Sequence, residues 1–231
     1  MSTKSYIITE YRKIDSHITF IRVNPSDLKL TLKEIFVSLS DLSWLRNFDE
    51  DYVRAGIEIR SKNTLLNLEK KLLNGDTDKI SSNTGETIVS ELARKSIINK
   101  MGYLDIPLAE FFKQKKDGNP GFDFFTENKN ETVLYGEAKY IAGKNGYGRA
   151  FNQIVDFITV GKDISDIPDI RDFCSPNSLN NANKGVKGYI AAFSSTNIET
   201  DILIKNIKAN LSFIELSKHK EIICVAVNVN I

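Results

Sequence analysis

The chain has 231 residues, 41% hydrophobic and 26% charged, which is the composition of an ordinary soluble globular protein. No run approaches the roughly 18–20 apolar residues of a membrane span, which excludes an integral membrane protein, and the first residues lack signal-peptide architecture. Two cysteines and two histidines exclude a disulfide scaffold or zinc ribbon and point to a reducing cytoplasm, while a net charge of +1 leaves any nucleic-acid affinity to local patches.

Residues 6–11 and 18–23, rich in β-branched and aromatic side chains, predict two short strands. Pro25-Ser26-Asp27 then breaks the chain. Thr31 with Glu34 three residues on is a capping-box pattern, predicting a helix that opens there with Ile35, Phe36, Leu39 and Leu42 on one face. Leu65, Leu66, Leu68, Leu72 and Leu73 predict a second helix within 51–74, ending at Gly75. The polar stretch 75–85 reads as a linker. It sets a soft boundary between an N-terminal accessory module, 1–78, and a larger domain, 79–231.

In the second part a helix is expected at about 85–100 and strands at about 122–126 and 132–140, joined by a polar turn at 127–131. A glycine-spaced loop from Gly143 to Gly148 opens a helix at about 149–160. A long polar stretch reaches Gly185. A strand at 187–193, a helix at about 199–218 and a strand at 221–229 complete the chain. This order predicts an α/β fold, a mixed sheet flanked by helices, with a small N-terminal α/β module.

Three Glu-x-Lys triplets occur, and their contexts separate them. On a helix, residues i and i+2 point about 200° apart, so Glu69 and Lys71 cannot serve one site. Glu127 and Lys129 sit in a run that reads as a solvated turn. Glu137 and Lys139 lie on an apolar strand, where i and i+2 share a face about 6–7 Å apart. The other face, Leu134, Gly136, Ala138 and Tyr140, is small or apolar, as expected where a helix packs closely. Half-buried charges are costly unless paired or metal-bound.

One strand earlier, Asp123 is the lone charge of Gly121-Phe122-Asp123-Phe124-Phe125. If the two strands are neighbours, Asp123 and Glu137 converge beside Lys139. Two carboxylates and a lysine make a hard, oxygen-rich site suited to Mg²⁺ or Mn²⁺, with Lys139 placed to serve the attacking water. A phosphodiester is the natural substrate, because its transition state spreads negative charge over oxygens. Glu86, at the edge of its helix's core-facing stripe, is a further candidate metal ligand; the plainer reading is a first-turn glutamate favoured by the helix dipole. Glu91 and Lys95 point to the opposite side and read as surface.

The loop Gly143-Lys144-Asn145-Gly146-Tyr147-Gly148-Arg149 is not a P-loop, since no Gly-Lys-Ser/Thr closes it. Lys144 and Arg149 are candidate contacts to a DNA backbone; otherwise this is a flexible turn with solvated lysines. Lys113, Lys115 and Lys116 form a second basic cluster, read as surface. Cys224, inside an apolar strand, reads as core packing, while His17 and His219, without a partner pattern, read as structural or surface.

The ordered set Glu86, Asp123, Glu137, Lys139 and Gln153 resembles the PD-(D/E)XK nuclease superfamily: a helix glutamate, an aspartate, Glu-x-Lys at a strand end and a glutamine on the following helix. Gln153-Ile-Val-Asp-Phe157 is similar to the Gln-x-x-x-Tyr motif of the RecB-like branch, with Phe157 in place of tyrosine. The motifs span residues 85–160. The resemblance implies a restriction-endonuclease-like core, metal-dependent DNA cleavage and an orienting role for Gln153. More narrowly, Thr84-Gly85-Glu86, Gly121-Phe122-Asp123 and Gly136-Glu137-Ala138-Lys139 resemble the HamA nuclease subunits of Hachiman antiphage defence. That resemblance implies a helicase partner, HamB. The alternative is a nuclease-like fold acting as a non-catalytic adaptor or DNA-binding subunit.

Overall fold

A computed structural model describes residues 5–72, 82–113 and 121–229. Strands β1 (Tyr6–Asp15) and β2 (Ile18–Pro25) form an antiparallel hairpin, each running beyond its expected end. β1 alternates half-buried and exposed residues, the signature of an edge strand with one wet face. Helix α1 spans Leu28–Leu39 and is capped by Asp27, which accepts the Leu30 N–H. The expected capping box at Thr31 does not form, because Asp27 follows the proline break directly and caps one turn earlier. The Thr31 hydroxyl donates to the Ser5 and Asp27 carbonyls, and Glu34 accepts from Ser5 instead. After a 3-10 turn (Ser43–Asn47), α2 (Asp51–Leu72) buries Ile57 and Leu68 and leaves Leu66 exposed.

Helix α3 is Ser82–Met101, α4 is Ala109–Phe112, and α5 is Tyr147–Thr159. The strands β3 (Phe124–Glu127), β4 (Val133–Lys139), β5 (Gly188–Ser194) and β6 (Glu221–Val227) complete one six-stranded sheet of order β1-β2-β6-β5-β4-β3. β3 is antiparallel to β4; β4, β5, β6 and β2 run parallel. β5 and β6 are buried along their whole length, as parallel strands covered on both faces must be. α1 and α3 pack on one face through Leu32, Ile35, Ile88, Val89 and Leu92. On the other face lies α5, with Phe151, Ile154 and Phe157.

Three expectations need correction. β2 pairs with β6 from Ile18 opposite Ile222 to Val23 opposite Val227, so the described part of 1–78 has no sheet of its own. Its strands extend the sheet of the larger domain, because an apolar β6 edge needs a partner. The boundary at residue 78 and the helix end at Gly75 lie outside the described residues. The polar stretch before Gly185 contains α6 (Lys162–Ser165), a 3-10 turn (Ile167–Ile170) and α7 (Pro176–Asn183), the last capped by Ser175. The helix expected at 199–218 is two, α8 (Thr200–Lys208) and α9 (Leu211–Leu216). Asn210 divides them by adopting extended backbone and capping α9 at the Phe213 N–H.

Candidate active site

Strand β4 alternates between two environments. Leu134, Ala138 and Tyr140 join the core beneath α3. A Cβ at Gly136 would meet the Phe124 ring at 2.5 Å, and one at Gly85 would overlap the Tyr140 ring. These two glycines let β3 and the first turn of α3 close down on β4. Glu86, one residue on, thereby reaches Lys139, with Oε1 3.6 Å from Nζ.

Glu137 and Lys139 project from the other face of β4. Phe124 pairs with Gly136, which sets Asp123 opposite Glu137 across the two strands. Asp123 is held firmly. Its N–H donates to the Gly136 carbonyl at 2.9 Å, its carbonyl accepts from Ala109 at 2.8 Å, and its Oδ2 accepts the Ala138 N–H at 2.8 Å. Lys139 Nζ lies 2.7 Å from Glu137 Oε1. The structure therefore gathers Asp123, Glu137, Lys139 and Glu86 at one end of the sheet.

The electrostatics follow from burial. The Glu137 side chain is 2% exposed, and its Oε2 is buried with no hydrogen-bond partner among the described residues. Desolvation first, then the Asp123 charge, raises its pKa well above the ordinary glutamate value, against the opposing pull of Lys139. Asp123 is pushed up to about 6, chiefly by burial, while the Ala138 N–H and Lys139 oppose the rise. Burial works against the Lys139 charge, yet Glu137, Asp123 and Glu86 outweigh it and raise its pKa. Glu110 on α4, which sequence reasoning missed, adds to the negative field at Asp123. Nothing local marks it, since a four-residue helix brings it there.

An aromatic floor keeps the site dry on its inner side. Phe122 packs on Tyr135 at 5.2 Å and on Phe157 at 5.1 Å between ring centres, and Tyr135 lies 5.9 Å from Tyr189. Phe157 is thus a core residue below the site. Gln153 is half-buried on α5, and no hydrogen bond joins it to Asp123, Glu137 or Lys139. The loop before α5 is ordered: Gly146 donates its N–H to Ser194, and Asn145 accepts from Thr196. A Cβ at Gly146 would come within 2.8 Å of the Lys139 carbonyl, so the loop lies directly against the end of β4. Lys144 on the loop and Arg149 in the first turn of α5 are exposed.

Three charged positions differ from expectation. Glu91 is not surface: it is 1% exposed, accepts from Ser38 at 2.7 Å and pairs with Arg94 at 2.7 Å. α1 covers that flank of α3, which the periodicity of α3 alone cannot reveal. Lys95 pairs instead with Asp105. Glu127 ends β3, half-buried, and accepts the Ser175 N–H, because α7 caps the turn. Lys113 is mostly buried and pairs with Asp166 at 2.6 Å; Lys115 and Lys116 lie outside the described residues.

Among the described residues no hydrogen bond engages Asp123 Oδ1 or Glu137 Oε2, and carboxylate oxygens are the kind of ligand a hard divalent ion takes. Among the described residues no group of three or more Asp, Glu, His or Cys side chains is arranged to hold a metal. Glu86 lies 3.6 Å from Lys139, and its charge also acts on Asp123 and Glu137. No described helix is long and apolar enough to cross a membrane. No protein family, curated protein or solved structure matches the chain.

Proposed function

We propose that the protein is a metal-dependent DNA nuclease hydrolysing phosphodiester bonds at Asp123, Glu137 and Lys139. The observation that carries this reading is Glu137 Oε2, a buried carboxylate oxygen beside a second carboxylate and without a partner among the described residues. Leaving a buried acceptor unsatisfied costs about 1–3 kcal/mol, more when charged, so the fold alone gives no reason to keep it. Mg²⁺ or Mn²⁺ bound there would offset that cost and lower the pKa of an attacking water.

The chain's own residues divide the remaining work. Asp123 and Glu137 present oxygens from two adjacent strands, the former locked by the Ala138 N–H. Lys139, 2.7 Å from Glu137, orients the water and meets the charge that grows on the phosphate oxygens. Glu86 steadies Lys139 from the α3 side. Lys144 and Arg149 take backbone phosphates, and Gln153 stays an orienting candidate only if it turns toward the site. The net charge of +1, with Lys144 and Arg149 the exposed cations assigned to the phosphates here, favours weak, salt-sensitive DNA binding without sequence choice. The resemblance to HamA subunits extends the proposal to an antiphage effector restrained by a HamB-like helicase.

The rival, a non-catalytic DNA-binding subunit, has one observation in its favour: no third ligand joins Asp123 and Glu137 among the described residues. One experiment separates the two. Plasmid and linear DNA are incubated with the protein in Mg²⁺, in Mn²⁺ and in EDTA, beside Glu137→Gln and Lys139→Ala. Metal-dependent cutting lost in both variants supports the nuclease. DNA binding without cutting by the wild type, alone and with a co-purified helicase, supports the adaptor.

A further inference from the structure

Besides its own three hydrogen bonds, Asp123 is preceded by two residues that are themselves held in place. The Phe122 N–H donates to Asp166 Oδ2 at 3.1 Å, and the Phe122 ring is wedged among Tyr135, Phe157 and Tyr189. Asp166 Oδ1 in turn takes Lys113 Nζ at 2.6 Å, with Asp169 3.6 Å from the same ammonium. The Asp166 side chain is 6% exposed and that of Lys113 is 15% exposed. Gly121 passes directly beneath the pair. A Cβ there would stand 2.8 and 2.9 Å from the two Asp166 oxygens and overlap Lys113 Nζ. The backbone thus enters β3 close under the ion pair, where any Cβ would make the pair shift.

A buried ion pair is a poor device for stability, since well-packed apolar residues of similar volume often serve as well or better. What it supplies is direction. One carboxylate can meet both the ammonium and the Phe122 N–H only from one place, and that place fixes the peptide preceding Asp123. We propose that Lys113 and Asp166 are positioning residues that aim the Asp123 carboxylate into the site, an inference that rests on the nuclease reading. Neither touches the reacting atoms. The pair also lines a cavity of about 430 Å³ together with Phe48, Arg60, Phe112 and Arg171. Truncation of Asp166 therefore opens into space that water can fill, so the fold should survive it.

The test uses the full chain and Mn²⁺ as probe. Binding is read by electron paramagnetic resonance, and cleavage by its Mn²⁺ concentration dependence. Asp166→Ala, which removes the acceptor for Phe122, is expected to weaken Mn²⁺ binding about tenfold or more and to shift half-maximal cleavage by the same factor. Asp166→Asn keeps an acceptor and should recover most of the loss. Asp172→Ala, on the same cavity wall, should change neither. If Asp166→Ala fails to fold, Lys113→Met is read in its place, with the same weakening expected. Wild-type Mn²⁺ binding in the folded Ala or Met variant overturns the positioning role alone. A wild-type protein that neither binds Mn²⁺ nor cuts DNA overturns the nuclease reading, and this inference with it.

Discussion

Burial disfavours the charged forms of both Asp123 and Glu137. Asp123 moves from an ordinary 3.8 to about 6, burial being the largest cause. Between those values the folded chain holds a proton that the unfolded chain has lost, so stability falls as pH rises through that window. Metal-free protein is expected to lose melting temperature from pH 3.8 to 6, and Asp123→Asn should flatten that part of the curve. Calorimetry across the range checks both. Saturating Mg²⁺ at pH 7 should restore the difference, because an ion that binds only the folded state stabilises it. Glu137 shifts in the same direction, for burial first and Asp123 second. Glu137→Gln is therefore expected to raise the metal-free melting temperature by about 2–4 °C, corresponding to about 1 kcal/mol, while abolishing cleavage. A variant that is both less stable and inactive would instead make Glu137 a structural anchor. The sequence pattern already singled out both carboxylates and Lys139, because strand periodicity and an isolated charge in an apolar run are local signals.

At the scale of elements, the site depends on how closely α3 and β3 approach β4. Gly85 admits the Tyr140 ring, and Gly136 admits the Phe124 ring. Gly85→Ala puts a methyl into Tyr140, and overpacking of this kind costs about 1–3 kcal/mol. Melting should fall by several degrees, and cleavage should weaken as Glu86 is carried away from Lys139. Unchanged melting and activity would mean that Tyr140 yields freely. Glu69→Ala, on α2 and outside the site, should cleave normally, which makes it the control. Glu91 shows where reading by element fails. Its helix alone assigns it to solvent, yet α1 closes over it and Ser38 and Arg94 bond it. The Lys113–Asp166 pair was equally hidden, since 53 positions of chain separate two residues that meet at 2.6 Å.

At the scale of the molecule, the N-terminal hairpin is part of the sheet that carries the site. β6 has β5 on one side and β2 on the other. A fragment beginning at residue 79 would leave β6, apolar from Ile222 to Val227, as an open edge and strip Ile21 and Val23 from the core. Such a fragment is expected to aggregate or resist refolding, whereas the full chain stays monodisperse; size-exclusion chromatography of both decides. A soluble, active fragment would restore an independent accessory module.

Local sequence determined the strands and most of the helices, the fold class, and the candidate trio Asp123, Glu137 and Lys139. Alternation and 3.6-residue periodicity are written within each segment and need no partner to be read. Capping and helix breaks were less legible, because Asp27 and Asn210 compete with equally plausible neighbours. Tertiary structure alone decided that β2 lies against β6, that Glu91 is buried, that Glu110 and Asp166 stand near Asp123, and that Glu137 Oε2 has no partner among the described residues. Each of these depends on which distant segment covers a residue, and burial sets the cost of a charge only once that neighbour is in place.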